Sequence, residues 1–469
     1  MKLYKKGADD LMNTDKNNLT ITYIGGGSRG WAWTLMKDLA LDGEISGTVR
    51  LYDIDFKAAE ANEKIGNRIS SRDDAPGKWL YKAVGTLKEA LTGADFVLIS
   101  ILPGTFDEME SDVHAPEKYG IYQSVGDTVG PGGIIRSLRT IPMFVEIAEA
   151  IRNYAPDAWV INYTNPMHVC VRTLYEIFPE IKAFGCCHEV FGTQHLLAAA
   201  LKEILGIEGV KRQDIKTNVL GINHFTWIDR ASYRNIDLFP VYKEFVDRYH
   251  ETGYVDEKAE KNWMNDHFSS GERVKMDLFR RYGLIAAAGD RHLAEFMPGS
   301  WYLKDPETVR KWQFSLTSVS WRKEDLRQKL ARSERLVSCE EELKPESSGE
   351  EGILLIKALL GLGDIVSNVN LPNRGQISNL PMGSAVETNA MFSMDSVVPV
   401  FAGALPNDVQ HLVMRHVINM EGILEASLKK DRRLAFEVFM NDPQMVLDPQ
   451  SGWELFMEML ERTKKYCCI

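Results

Sequence analysis

Long apolar runs are absent from this sequence. No stretch approaches the ~18–20 residues that a membrane span needs, and no signal-peptide pattern opens the chain. Cysteine is sparse: six among 469 residues exclude a disulfide framework and point to a reducing compartment. Cys467 and Cys468 read as incidental. Basic charge is in deficit, with 55 Lys and Arg against 66 Asp and Glu and a net charge of −11. That balance argues against nucleic acid or an anionic membrane as a partner. The expectation is a cytoplasmic protein, in which Asn18-Leu19-Thr20 and Asn162-Tyr163-Thr164 match the glycosylation triplet by chance.

What is present suits a large folded chain. Hydrophobic residues make up 44% of it, with 10 Trp and 19 Phe, ample for a sizeable core. The length exceeds one ordinary core, so two packed domains are predicted. Residues 1–18 are polar and lysine-rich and read as a loosely ordered leader.

From residue 19 the pattern alternates strand and helix, as in a parallel sheet covered by helices. Thr20–Ile24 reads as a buried first strand and runs into Gly25-Gly26-Gly27-Ser28-Arg29-Gly30. Gly25, Gly27 and Gly30 satisfy the G-x-G-x-x-G fingerprint, with Ser28 inside it, and Trp31–Leu41 is free of Gly and Pro, as a first helix requires. The glycines serve a tight turn, close approach to a pyrophosphate and helix–strand packing, with the pyrophosphate on the helix N-terminus. A second strand, Thr48–Tyr52, ends at Asp53, the acid expected to accept the ribose hydroxyls. Asp53 and Asp55 would repel a 2′-phosphate, so NAD is favoured over NADP. The predicted fold class is α/β: a Rossmann-type doubly wound parallel sheet over 19–213, then a mixed α+β domain over 214–469 for catalysis, substrate and subunit contacts. Asp95–Ser100, Ala158–Asn162 and Ala183–Gly185 read as further strands.

Several polar segments follow these strands. Asn165, before Pro166, suits either a substrate hydroxyl or a helix cap. Cys186-Cys187-His188-Glu189 joins thiols, an imidazole and a carboxylate. His224 follows another strand-like run, and Cys187 with His224 would leave open positions on a catalytic divalent ion; a packed thiol and a core histidine are the bland alternatives. Gly126–Gly133 looks like a second loop presenting backbone N–H groups before a helix starting near Ile134, with Asp127 placed to tune a base. Gly289–Glu295 packs Asp290, Arg291, His292 and Glu295 into seven residues.

In these segments the chain resembles the family-4 glycoside hydrolases, which are NAD-dependent. The resemblance rests on Ile24–Gly30, Gly130–Gly133, Asn162–Pro166, Cys187–Val190, Gly221–His224, Gly289–Glu295 and Leu371-Pro372-Asn373 through Asn379-Leu380-Pro381, in the family's order. It implies an enzyme that oxidises the sugar at C3, eliminates the C1 leaving group, adds water and restores the hydride. It maps Mn²⁺, or another divalent metal, onto Cys187 and His224, and the substrate-binding Asn onto Asn165. Where some members carry an acidic Asp after the metal-binding Cys, this chain has His188. Asp290 is the expected base, with Tyr282 and His292 behind it.

Cys-His-Glu-Val resembles the branch acting on α-galacturonides from pectin breakdown. Arg136, Arg139 and Arg291 are candidates for the substrate carboxylate, with His292 as a further substrate contact. Other α-glycosidases of the family (α-galactosidase, α-glucosidase, α-glucuronidase), a 2-hydroxy-acid dehydrogenase and a non-catalytic NAD sensor are the alternatives. The expected partner is a small sugar or oligosaccharide, and the assembly a homodimer or homotetramer.

Overall fold

The computed structural model describes residues 15–256, 261–467 and 469; residues 1–14 of the leader, and Cys468, lie outside the described residues. Strands β1 (Leu19–Ile24), β2 (Gly47–Tyr52), β3 (Trp79–Val84), β4 (Phe96–Ile99), β5 (Trp159–Asn162) and β6 (Lys182–Gly185) pair in parallel in the order 3-2-1-4-5-6. β4 is buried throughout, as a strand covered by helices on both faces requires. Helix Trp31–Leu41 follows β1 within the predicted bounds. β3 was not read from the sequence.

β7 (Ile215–Ile222) and β8 (Phe225–Tyr233) form a hairpin whose two-residue turn is Asn223-His224. β9 (Ile236–Asp237) and β10 (Ile285–Ala286) flank β8. Three late strands, β11 (Ile365–Pro372), β12 (Ala385–Ser393) and β13 (Ser396–Pro399), return to the first sheet and add antiparallel to β6. The result is a nine-stranded sheet among the described residues. Residues beyond 214 therefore share a sheet with the nucleotide fold, and β12 lies against β7 through Asn389, which donates to the Thr217 carbonyl at 2.6 Å.

The long helix after the second glycine segment begins at Gly130, not near Ile134, and runs to Tyr154. Its start is a packing device. Gly130 adopts φ +70°, and a Cβ on Gly133 would lie 2.3 Å from the Thr128 carbonyl carbon. The Gly130 and Gly132 N–H groups donate to Asp442 and Gln123 at 3.0 and 2.9 Å, so they are spent within the protein and not presented to a ligand. Among the described residues no helix is long and apolar enough to cross a membrane.

The C-terminal ends of β1, β2, β4, β5 and β6 all open on one edge. Strand order reverses between β1 and β4, which is where ligands enter open α/β sheets.

Candidate active site

At the end of β1 the chain turns tightly back. Gly25 has φ +95°, and a Cβ there would lie 2.0 Å from the Ser100 carbonyl oxygen. A Cβ on Gly27 would meet Ala58 at 2.7 Å and the Asp53 carboxylate at 2.9 Å. Gly30 has nothing within 4 Å, so close packing falls to Gly27 instead of the third glycine of the fingerprint. Asp53 accepts from the Gly27 and Asp55 N–H groups, both at 2.9 Å, and burial raises its pKa. Ser28 donates its N–H to Gly25 and accepts on its carbonyl from Asn62. Asn62 also donates to Gly26 and accepts from Trp33 at 2.8 Å, a brace that no local pattern in the sequence marks. Helix Trp31–Leu41 has no side-chain cap and no acid in its first turn. An N-terminus uncapped by any side chain suits a bound anion, and the buried Arg29 Nε has no partner. These residues fit a dinucleotide.

Farther along the same edge, Asp127, His224 and His292 bring their donor atoms within 4.8 Å of one another. The turn between β7 and β8 holds His224 at φ +62°. Its Nδ1 lies 2.9 Å from the Thr128 hydroxyl, which donates to Asp127 at 2.7 Å. That hydroxyl has one proton, so His224 carries its own on Nδ1 and leaves the Nε2 lone pair open to a metal. Burial and the neighbouring His292 hold the His224 pKa down to about 3, keeping the ring neutral. Burial alone would raise the Asp127 pKa, but Arg136 and the Thr128 hydrogen bond help hold it down. The rings of His224 and His292 lie 3.7 Å apart. His292 Nδ1 is buried without a partner, and its Nε2 lies 3.7 Å from Glu189, which in turn accepts from the Gly289 N–H at 2.6 Å.

Cys187 is not one of the three converging donors. Burial raises its thiol pKa, and its side chain is hydrogen-bonded to Asn223, the residue before His224. Asn223 donates to Glu387 at 3.2 Å, and Asn368 to the same carboxylate at 2.6 Å. Adjacent turn residues thus serve the thiol and the imidazole cluster. The neutral His224 ring and the Asp127 carboxylate, with unpartnered buried oxygens nearby at Asn165 Oδ1 and Asn223 Oδ1, fit a divalent ion open to substrate.

The sequence comparisons agree on one family. Residues 20–203 match the family 4 glycosyl hydrolase model, and residues 219–445 match the family 4 glycosyl hydrolase C-terminal domain. The chain belongs to the family 4 glycosyl hydrolases. An alpha-galacturonidase of Thermoanaerobacterium saccharolyticum is 67% identical over 450 residues, 96% of this chain and 97% of that one. The solved structure of Bacillus subtilis lplD superposes with a TM-score of 0.90 at 56% identity, covering 95% of this chain and 100% of that one. A 6-phospho-alpha-glucosidase from gut microorganisms, solved with NAD and Mn²⁺, shares the fold at 19% identity and a TM-score of 0.78, over 96% and 99% of the two chains.

The remaining expected residues of this family 4 hydrolase occupy varied settings. Asn165 does not cap helix Met167–Ile177: Pro166 stands at the N-cap with no side-chain bond, and Asn165 Oδ1 is left unpartnered. His188 is half exposed. Its Nδ1 lies 3.3 Å from Glu350, and hydrogen bonding to that carboxylate raises its pKa. Trp31 stands 6.2 Å from its ring. Asp290 is buried and accepts from the Val274 and Lys275 N–H groups, both at 3.0 Å. Its two oxygens are thereby engaged at the start of helix Arg273–Tyr282, while burial and Glu272 push its pKa up to about 7. Tyr282 packs its ring against Trp227 at 5.8 Å. Arg139 is committed to a buried pair with Asp112, at 2.9 and 2.5 Å, and braces the Pro103 carbonyl. Arg136 donates through Nε to the Asn165 carbonyl at 3.2 Å. Thr128, Glu189, Glu350 and Glu387 were not assigned roles from sequence, because their partners lie far away along the chain.

Proposed function

We propose that this chain is a cytoplasmic α-galacturonidase that works with bound NAD and a divalent ion such as Mn²⁺. The observation that carries the reading is the pairing of an uncapped glycine cradle with a neutral His224 beside Asp127 on one sheet edge. The substrate assignment is supported by the 67% identity to the Thermoanaerobacterium saccharolyticum enzyme. When bound, the two groups supply reversible oxidation at C3 and polarisation of the oxygen formed there, which makes the C2 proton acidic.

The glycines Gly25, Gly27 and Gly30, with Ser28 and Asp53, hold the dinucleotide. His224 and Asp127 would hold the ion, and Cys187, which the family resemblance maps onto the same ion, would join them by giving up its hydrogen bond with Asn223. Asn165 offers its free amide oxygen to a substrate hydroxyl. His292 takes the C2 proton: its Nδ1 is unpartnered, and Glu189 beside Nε2 stabilises the imidazolium formed. Asp290, with both oxygens engaged, acts on that step as a positioning residue for Arg291 and His292. His188, whose pKa is raised by its hydrogen bond with Glu350, donates to the leaving group. Residues 19–213 hold the cofactor and share the substrate site with residues 214–469, and the assembly is a homodimer or homotetramer. The oxidisable Cys187 suits a reducing compartment.

The test is turnover of nitrophenyl α- and β-glycosides, uronides included, with NAD⁺, Mn²⁺ and thiol present. The α-galacturonide should react fastest, and NADH should not accumulate. Preference for the neutral α-galactoside would contradict the substrate assignment. Stoichiometric NADH release would contradict the reaction class and favour a dehydrogenase.

A further inference from the structure

Two arginines stand apart from those that end on carboxylates, such as Arg139 on Asp112 and Arg172 on Glu421. Arg291 is nearly buried, at 7% exposure, and is fixed by neutral acceptors: the Ser315 carbonyl at 3.0 Å, the Ser124 carbonyl at 2.5 Å and the Thr317 hydroxyl at 2.7 Å. Arg322, on helix Val319–Ser338, is half-buried. Among the described residues it shows no ion pair and no side-chain hydrogen bond.

Both guanidiniums lie over one ring. Arg322 stands 4.7 Å from the centroid of Phe268 and Arg291 5.4 Å from it; Trp321 adds a second face to Arg322 at 5.7 Å. Burial and repulsion from Arg322 lower the pKa of Arg291. Asp127 faces both arginines, but it also faces His224, Arg136 and His292 and accepts from Thr128. Asp325, on the Arg322 helix, is paired with Lys329 at 2.8 Å. Glu189 and Glu295 face Arg291. Glu295 is drawn to the Val125 and Gly126 N–H groups at 2.7 and 2.9 Å.

Two guanidiniums against one ring, one nearly buried and one half-buried and neither ion-paired among the described residues, repel each other unless an anion joins them. Planar forks of N–H donors match a carboxylate. Arg291 directly precedes His292, whose ring lies against His224, and is held by the Ser124 carbonyl just before Asp127, which places the pair beside the His224 cluster. We propose that Arg322 reads the carboxylate of the substrate, with Arg291 as the fixed second cation and Phe268 as the ring against which both guanidiniums lie. Arg322 is thus a specificity-determining residue. The inference rests on the galacturonide reading above and names the side chain that would enforce it. Arg322 does not belong to any motif that suggested that reading.

The test compares kcat/KM for an aryl α-galacturonide, its methyl ester and the corresponding 6-phosphorylated galactoside, using holoenzyme. Wild type, Arg322→Met and Arg322→Lys are assayed together. Arg322→Met should lose roughly 10- to 100-fold on the acid, the span expected for a hydrogen bond to a charged group, and far less on the ester. Arg322→Lys keeps the charge and stem and should fall between the two, which separates lost recognition from misfolding. Equal losses on acid and ester, or an intact preference for the acid in Arg322→Met, would overturn the role of Arg322 alone. A wild type that favours the ester would overturn the galacturonide reading beneath it. A wild type that favours the phosphorylated sugar would reassign the pair to phosphate.

Discussion

His292 and Asp290 are two residues apart, yet their surroundings assign them different work. The imidazole touches the His224 ring and keeps one nitrogen unpartnered, whereas both carboxylate oxygens of Asp290 are engaged by a helix start. His292→Gln should therefore lower kcat by about 10²–10⁴, the range for a lost general base, with little change in thermal stability. Asp290→Ala should destabilise the fold by about 0.5–2 kcal/mol, as loss of a cap does, and lower activity less. Steady-state kinetics beside thermal unfolding would check the contrast, and a stable Asp290→Ala protein with the larger kinetic loss would reverse the two roles.

His416 gives the pH dependence. It is buried between Phe225 and Phe296, its Nε2 donates to the Phe296 carbonyl at 2.8 Å, and its Nδ1 has no partner. Protonation would bury an unpaired N–H beside apolar rings. Burial accordingly lowers its pKa from 6.5 to about 4. Since the folded pKa lies below the unfolded one, this contribution is full above 6.5 and is lost as pH falls toward 4. At about 1.4 kcal/mol per pKa unit the loss approaches ~3 kcal/mol. His416→Gln, which can still donate to Phe296, should flatten the unfolding temperature across that window. An unchanged acid slope would show that other groups set it.

At the scale of elements, the glycine loop separates fold from ligand. Gly25→Ala combines a φ of +95° with a Cβ 2.0 Å from a carbonyl oxygen, and should cost about 1–3 kcal/mol or more. Gly30→Ala meets nothing within 4 Å, but φ −145° with ψ −80° lies outside the regions open to alanine, so it should cost less than Gly25→Ala, through backbone strain alone. Equal destabilisation of the two would contradict the loop geometry. β1, β4, β5 and β6 were legible because burial on both faces writes them as short apolar runs closed by Gly, Ser or Asn. β11 was not: its Ser367, Asn368 and Asn370 interrupt the apolar pattern while turning inward, Asn368 toward Glu387 and the Cys187 carbonyl. Its partner β6 lies about 180 residues earlier, a pairing no local window reveals. Cys187, His224 and Asp127 could be named from their motifs, but the Thr128 link between two of them could not. Arg322 sits in an ordinary charged helix and becomes conspicuous only when its lack of a counter-ion is seen.

At the scale of the whole molecule, two distant parts of the chain would act on one sugar. The cradle on β1 and the cluster at the β7–β8 turn meet along one edge because β11–β13 join the later half to the first sheet. Hydrolysis through oxidation at C3 requires that the C2 proton leave and be replaced during turnover, which direct displacement at C1 never does. The decisive measurement is therefore complete hydrolysis of an α-galacturonide in D₂O by the holoenzyme, followed by NMR of the product. Deuterium at C2 is the predicted result, whereas full retention of protium at C2 would contradict the account.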